Sequence, residues 1–203
     1  MPLNLPQPIL YAITDGKTTS QTTPDDQEFA SILQLVETAV VRKIPLFQIR
    51  EKKLTTRVLY DLVSRALEIT RGSSTRLLVN DRFDVALAAG ADGVHLTSTS
   101  LPSRVVREVC GPELLIGAST HSLAEARAAR DGGADFIVFG PVFETESKRG
   151  FGPPQGLEKL AQVTSELRGF PVLAIGGVTV DNAEKCFAVG ASGFAGISWF
   201  SAR

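Results

Sequence analysis

Short apolar runs recur along the chain, each followed by a polar or glycine-containing turn and then by a segment with helical spacing of apolar residues. The runs are short and rich in β-branched residues, as is typical of buried strands. Eight of them predict strands at 9–14, 46–50, 76–80, 93–96, 114–119, 136–143, 172–175 and 193–198. Seven helices are expected between the strands, among them 27–41, 57–71, 84–89, 123–130 and 181–189.

The predicted strands are apolar on both faces, which indicates parallel strands covered by helices outside and by core inside. A closed barrel and a doubly wound sheet both fit this pattern. Similar Gly-Ala-(Asp/Ser) joints at 90–92, 133–135 and 190–192 indicate repeated βα modules, with glycine where a helix can end in a left-handed turn. Because no Gly-x-Gly-x-x-Gly follows the first strand, the (β/α)₈ TIM barrel is favoured.

The chain length favours a single domain over residues 1–203. The sequence stops soon after the eighth predicted strand, so the last helix of the barrel is expected to be missing or truncated. We expect the exposed flank to be covered by residues 1–7 or by a second subunit in a homodimer.

The amino-acid composition excludes some classes of binding partner. With 21 Lys and Arg against 22 Asp and Glu, the chain lacks the basic excess that nucleic acid or an anionic membrane requires. No apolar run approaches the roughly 20 residues that cross a bilayer, and residues 1–7 carry no Lys or Arg, so a cytoplasmic protein is expected. Cys110 and Cys186 lie in predicted helices without a Cys-x-x-Cys spacing and are expected to be reduced, buried thiols.

Candidate chemistry is expected at the mouth of the barrel, the end where the carboxyl ends of the strands meet, because TIM-barrel active sites lie there. The residues at the ends of strands two, three, five, six, seven and eight are unusually polar or glycine-rich. They are Gln48, Arg50, Lys52, Asn80, Asp81, Ser119, Thr120, His121, Thr145, Ser147, Lys148, Gly176, Gly177, Ile197 and Ser198.

Gly176 and Gly177 precede a predicted helix, so their backbone N–H groups could contact a phosphate, with Ser198 and Lys148 nearby. The alternative is a tight turn without a ligand. Arg50 and Lys52 share a strand face with Gln48 and are predicted to hold a second anionic or polar group. A solvated charge cluster is the alternative, since Glu51 and Lys53 belong to the same stretch.

His121 follows strand five and is the better candidate of the two histidines for a general acid or base. Its alternative role is structural, next to a Ser122–Glu125 capping box at the start of a helix. His95 lies inside strand four and is expected to be a satisfied core residue. Asp81 could bind Mg²⁺, but one carboxylate beside Asn80 makes only a partial site.

These motifs also carry a family resemblance. The stretches FQIREK (47–52), LLVNDRFDVALAAGADGVHL (77–96), IGASTHSLAEA (116–126), FGPVFETESKRG (139–150), VLAIGGVT (172–179) and GISW (196–199) resemble the thiamin phosphate synthase/thiazole tautomerase (TenI) superfamily. The similarity extends from residue 11 to residue 198. It implies a TIM barrel that handles a thiazole phosphate in thiamin biosynthesis.

For the synthase branch, the resemblance implies coupling of hydroxymethylpyrimidine diphosphate to thiazole phosphate with Mg²⁺ and release of pyrophosphate. It implies four residues near the pyrimidine and pyrophosphate, namely Gln48, Arg50, Lys52 and Asn80. It also implies Asp81 on Mg²⁺ and Ser119 with Lys148 beside the pyrophosphate. The thiazole phosphate would lie near Thr145, Ser147, Gly177, Ile197 and Ser198.

For the tautomerase branch, the resemblance implies a metal-independent isomerisation of a carboxythiazole phosphate, with His121 as the catalytic histidine. Two features favour this branch. Residues 97–100 read Thr-Ser-Thr-Ser where synthases carry a second acidic Mg²⁺ ligand, and the strand-six loop at 142–150 is more similar to the tautomerases. Our first expectation is therefore a thiazole tautomerase in which Gly176, Gly177 and Ser198 hold the phosphate. A Mg²⁺-dependent synthase is the second, and a non-catalytic phosphate-binding barrel is the third.

Overall fold

The computed structural model describes residues 5–145 and 153–197. Eight parallel strands form a closed barrel in sequence order, and the last strand pairs with the first. The strands are β1 (Ile9–Ile13), β2 (Leu46–Ile49), β3 (Arg76–Asn80), β4 (Gly93–Leu96), β5 (Leu115–Thr120), β6 (Phe136–Phe139), β7 (Val172–Ala174) and β8 (Gly193–Gly196). The predicted TIM barrel is confirmed.

Seven helices in the described ranges connect the strands, and each predicted helix that has explicit bounds is correct to within one residue. They are α1 (Gln27–Val41), α2 (Thr56–Thr70), α3 (Phe83–Ala89), α4 (Ser103–Cys110), α5 (Leu123–Asp131), α6 (Gly156–Glu166) and α7 (Val180–Ala188). The glycines of the three repeated joints, Gly90, Gly133 and Gly190, have positive φ angles, as their left-handed turns require.

Several predicted strands extend too far toward the mouth, and the largest error is in strand six. That strand ends at Phe139 rather than at 143, because Gly140–Pro141 follows and proline has no N–H to continue the ladder. Val142 and Phe143 instead donate to the carbonyls of Ile175 and Gly176. The apolar residues after β6 therefore form a loop packed on the end of β7. In β5 the prediction is offset by one residue, since the strand runs to Thr120.

The core has two layers, as expected for strands that are covered on both faces. The outer cluster lies between the barrel and the helices and includes Phe47, Val94, Ile137 and Phe194. The inner cluster fills the barrel and comprises Ile9, Tyr11, Ile13, Leu46, Leu78, Phe136, Val138, Leu173 and Ala195. The inner cluster is the floor on which the mouth is built.

The segment that was expected to cover the flank near β8 and β1 lies partly within the described residues. Leu5 packs against the inner cluster, because the amino-terminal end of the barrel leaves apolar side chains open there. The expected cover of the flank by residues 1–7 or by a second subunit stays a prediction. Both cysteines are free as predicted, although only Cys186 is fully buried and Cys110 is partly exposed. No helix within the described ranges is long and apolar enough to cross a bilayer.

Candidate active site at the carboxyl ends of the strands

The strand register sorts the inward-facing side chains into layers, as is usual in TIM barrels. Following the pairing around the barrel gives one layer of Gln48, His95, Val138 and Ala195, and above it, toward the mouth, a layer of Ile13, Asn80, Ser119 and Ile175. The polar members come from β2 to β5, and the apolar members come from β6, β7, β8 and β1. The floor of the mouth is therefore polar on one side and apolar on the other.

Two amides form the centre of the polar side. Gln48 is 1% exposed and Asn80 is 7% exposed, and the Gln48 Nε2 donates to the Asn80 Oδ1 across 3.5 Å. This long contact leaves further donors and acceptors of both amides for other partners. Arg50 follows directly after β2, and its positive charge acts on His95 in the barrel interior. The structure thus brings Gln48 and Asn80 together, and Arg50 lies close enough to the barrel interior for its charge to act on His95.

Ser119 completes the polar side from β5. Its hydroxyl lies 2.9 Å from the Nε2 of His95, which is 3% exposed. Burial, followed by the positive charge of Arg50, lowers the pKa of His95 to about 3. His95 is therefore a neutral core histidine, as expected, but its Nδ1 is buried without a hydrogen-bond partner among the described residues. The expectation of a fully satisfied histidine is only half correct.

Glu51 has a role that the sequence did not reveal, because its charge looked like part of a solvated cluster. The carboxylate is only 3% exposed and accepts hydrogen bonds from the Gly16 N–H, the Thr18 N–H and the Thr18 hydroxyl at 2.6–3.3 Å. These bonds hold the β1–α1 loop beside Arg50, whose carbonyl and guanidinium lie next to Gly16. Glu51 therefore positions one wall of the mouth.

His121 lies at the mouth, where β5 and β6 end. Its Nδ1 is 2.5 Å from the Gly140 carbonyl oxygen. Because a carbonyl can only accept, Nδ1 carries the proton of the neutral ring, and Nε2 is the basic nitrogen. Nε2 has no hydrogen-bond partner within residues 5–145 and 153–197. His121 can therefore take a proton from a ligand.

The predicted capping box beside His121 is half correct. The Ser122 hydroxyl accepts from the Glu125 N–H, as the motif requires. However, the Glu125 carboxylate accepts from the His121 N–H, one residue before the cap. Glu125 thus fixes the backbone of His121 as well as the start of α5, so the structural and the chemical interpretations of this segment are compatible.

Gly176 and Gly177 pack tightly against the loop after β6. A Cβ on Gly177 would lie 2.4 Å from the Glu144 carbonyl oxygen, and one on Gly176 would lie 2.4 Å from the Pro141 Cβ. Both residues also have positive φ angles. Close packing and positive φ angles are enough to explain why both residues are glycine. This agrees with the alternative of a tight turn that binds no ligand. Their N–H groups donate to no partner in the described part of the chain, so the phosphate site stays a prediction.

Asn182 in α7 fixes this turn, and sequence reasoning missed it. Its Oδ1 accepts from the Thr179 N–H at 2.7 Å, and its Nδ2 donates to the Gly177 carbonyl at 2.9 Å. The first bond is half of a capping box, which a Thr-x-x-Asn spacing could have indicated. Asn182 therefore ties the Gly176–Gly177 turn to the amino-terminal end of α7.

The implied Mg²⁺ ligands do not form a two-carboxylate site. Asp81 is exposed after β3 in a left-handed conformation with φ 63°. The turn at 97–100 offers hydroxyl groups, and those of Thr97, Thr99 and Ser100 bond to one another at 3.1–3.2 Å. No group of three or more His, Cys, Asp or Glu side chains that could hold a metal exists among the described residues. Asp81 alone could support a magnesium ion held mainly by a ligand's phosphates.

The remaining predicted site residues are distributed as follows. Lys52 lies in an exposed turn beyond the end of β2, so the strand alternation that predicted its direction does not extend to it. Thr120 has the opposite orientation to Ser119 along β5. Thr145 is half-buried after β6, and Ile197 packs against the inner cluster after β8. Ser147, Lys148 and Ser198 lie outside the described residues.

A concavity of about 890 Å³ opens at the opposite, amino-terminal end of the barrel. Arg107 in its wall has every N–H group engaged, by the carbonyls of Gly111, Leu114 and Gly133 and by the Asp135 carboxylate. Titratable and amide groups without full partners instead gather at the mouth. We therefore place the candidate site at the mouth and not in this concavity.

Comparison with known proteins identifies the family. The TMP-TENI family, described as "Thiamine monophosphate synthase", matches residues 10–200. A thiamine-phosphate synthase of Roseiflexus sp. is 37% identical over 190 residues, which are 94% of this chain and 77% of the relative. One of Moorella thermoacetica is 40% identical over 166 residues, 82% of this chain and 79% of the relative.

A solved structure, the thiamine phosphate pyrophosphorylase of Pyrococcus furiosus, is 34% identical and superposes with a TM-score of 0.80 over 97% of this chain and 90% of that chain. These relatives are named for the synthase reaction and not for the tautomerase reaction. From the matched residues and the shared barrel, this chain belongs to the TMP-TENI family of thiamin-biosynthesis barrel enzymes.

Proposed function

We propose that this chain is a thiamine-phosphate synthase, which reverses the order of the first two of our three sequence-based expectations. The observation that carries the proposal is the single polar wall formed by Gln48, Asn80, Arg50 and Ser119. These are the residues that the family resemblance assigns to the pyrimidine and the pyrophosphate. The synthase names of relatives at 37% and 40% identity support the same reaction.

In the proposed reaction, the carbon–oxygen bond between the pyrimidine methylene and the diphosphate breaks, and its electron pair leaves with pyrophosphate. The thiazole nitrogen lone pair then forms the new carbon–nitrogen bond. Gln48 and Asn80 would bind the pyrimidine edge. The Arg50 guanidinium would bind the diphosphate oxygens, and the Ser119 hydroxyl would donate to them. The apolar side, including Ile175 and Ile197, would contact the thiazole ring.

Mg²⁺ is the cofactor that the resemblance implies, and the described residues fit it poorly. Asp81 would be its carboxylate ligand, while the hydroxyls at 97–100 are weak ligands that already bond to one another. We therefore assign the neutralisation of diphosphate charge to Arg50 in the described part of the chain. The expected cytoplasmic location and the homodimer stay predictions.

A thiazole tautomerase is the second candidate, and the geometry of His121 favours it. The Nδ1–H bond to Gly140 leaves Nε2 as a base at the mouth. A base in this position could remove a ring proton from a carboxythiazole phosphate and return it elsewhere on the ring. The tautomerase reaction needs no metal ion. This is consistent with the turn after β4, which offers hydroxyl groups and no carboxylate.

One pair of assays separates the two candidates. We expect purified protein to form thiamin phosphate from hydroxymethylpyrimidine diphosphate and thiazole phosphate. Arg50→Gln should lower kcat/KM by about 10²-fold, because it removes a charge that is needed as pyrophosphate leaves. Arg57→Gln, in an exposed part of α2, is the matched control and should retain activity.

His121→Ala should leave the coupling rate within about threefold if the synthase proposal is correct. If the chain instead isomerises carboxythiazole phosphate, and His121→Ala reduces that rate by about 10²- to 10⁴-fold, the tautomerase is the correct assignment. Turnover of neither substrate set would support the third expectation, a phosphate-binding barrel without catalysis.

A further inference from the structure

His95 is an ionisable side chain buried in the barrel beneath the proposed substrate wall, and it lies beside a second one, Tyr11. It lies one interior layer below Ser119, and its Nε2 is 2.9 Å from the Ser119 hydroxyl oxygen. On the other side of Ser119, the paired residue of β6 is the apolar Val138. Among the described residues, His95 is therefore the side chain that forms a hydrogen bond with the Ser119 hydroxyl.

The imidazole ring is held in one orientation by its surroundings. The ring centroids of Tyr11 and Phe136 lie 5.5 Å and 6.1 Å from that of His95. Gly117 leaves the space for the ring, because a Cβ there would lie 2.7 Å from the His95 Nδ1 and 2.4 Å from the Phe136 Cζ. The ring therefore cannot turn to another partner without displacing its neighbours.

The two ring nitrogens have different surroundings, and this difference selects the tautomer. Nδ1 is buried without an acceptor in the described ranges, whereas Nε2 faces an oxygen that can accept. A buried N–H without an acceptor is rarer in proteins than an unused lone pair. Because the pKa of His95 is lowered to about 3 by burial and by Arg50, the ring carries a single proton near neutral pH.

We propose that His95 donates its Nε2–H to the Ser119 oxygen and thereby directs the Ser119 hydroxyl hydrogen toward an acceptor in the mouth. His95 is a positioning residue, since it acts through Ser119 and does not contact the ligand. The identity of that acceptor, a diphosphate oxygen, rests on the proposed function. The tautomer and the His95–Ser119 bond do not depend on it.

The tautomer can be measured on the unaltered protein. Long-range ¹H–¹⁵N spectra of the ¹⁵N-labelled chain should show His95 with a protonated Nε2 and an unprotonated Nδ1 at pH 7. His121 provides an internal contrast, because its bond to the Gly140 carbonyl requires a protonated Nδ1. A His95 ring protonated at Nδ1, or at both nitrogens, would overturn the proposal.

Binding of inorganic pyrophosphate, measured by calorimetry, tests the effect on Ser119. His95→Leu should weaken binding by about tenfold, the usual effect of losing one positioned hydrogen bond. His95→Gln should stay within about threefold of the unaltered protein, because a glutamine amide can place a donor where Nε2 lies. In the Ser119→Ala background, His95→Leu should have no further effect.

The results that would contradict the His95 proposal differ from those that would contradict the proposed function. If His95→Leu weakens binding equally with and without Ser119, His95 acts only through general packing and the proposal fails. If the unaltered protein does not bind pyrophosphate, the proposed function fails while the spectra still decide the tautomer. If His95→Leu does not fold, the comparison of His95→Gln with Ser119→Ala and the spectra decide instead.

Discussion

Replacing His95 should change the pH dependence of the protein's stability. The pKa of His95 is lowered from 6.5 to about 3 by burial and by the charge of Arg50. Between these two values the unfolded chain binds a proton that the folded protein excludes. Stability should therefore be lost as the pH falls through 6.5 toward 3, with a slope of up to about 1.4 kcal/mol per pH unit.

The magnitude at an accessible pH follows from the same linkage. Lowering the pH from 7 to 5 should reduce the free energy of unfolding by about 2 kcal/mol through His95 alone. Urea unfolding followed by circular dichroism at several pH values measures this loss. His95→Gln has no ionisable ring and should lack the loss, although it will be less stable at pH 7.

The other histidine of the chain supplies the matched control. His121 is at the mouth and half-buried, so His121→Gln should retain the loss of about 2 kcal/mol that belongs to His95. If the unaltered protein and His95→Gln show the same pH dependence from 7 to 5, His95 is accessible to protons. The close packing around His95 beneath the polar side of the mouth would then be incorrect.

Four substitutions test other parts of the site. Glu51→Ala should cost about 2–4 kcal/mol, because it leaves the Gly16 and Thr18 donors unpaired, and equal stability would exclude the proposed loop anchor. Gly177→Ala should destabilise by at least about 2 kcal/mol in urea unfolding, whereas Gly72→Ala, with similar φ but open space, should cost only about 1 kcal/mol. Asn182→Asp keeps the bond from Thr179 but places a negative charge beside the Gly177 carbonyl and the predicted phosphate, so it should weaken thiazole phosphate binding at least as much as Asn182→Ala does. Asp81→Gly should preserve or raise the melting temperature, since φ is 63° there, and a lower melting temperature would show that the Asp81 side chain supports the fold.

The fold was largely predictable because its signals are local and repeated. Alternation of short apolar runs with helical segments defines βα units, and the three glycine-containing joints give the helix ends. The bounds of strand six were wrong because Val142 and Phe143 are apolar yet bond to the β7 carbonyls as a loop. Hydrophobicity alone cannot distinguish these two ways of burying a side chain.

The candidate site was predictable where strand ends identify the mouth, as for Gln48, Asn80, Ser119 and His121. The supporting residues were not, because their roles depend on contacts between segments distant in sequence. Glu51 looks like one charge in a solvated stretch until its bonds to Thr18 are seen. His95 gains its role only through its bond to Ser119. The choice between the synthase and tautomerase branches likewise depends on activity more than on any single motif.

A crystal structure with bound thiazole phosphate tests the central claim most directly, namely that the mouth of the barrel is the substrate site. We expect the phosphate beside the Gly176 and Gly177 N–H groups, with the thiazole ring against the apolar side of the mouth that includes Ile175 and Ile197. Density for the ligand in the concavity at the amino-terminal end, with the mouth empty at saturating ligand, would contradict the account.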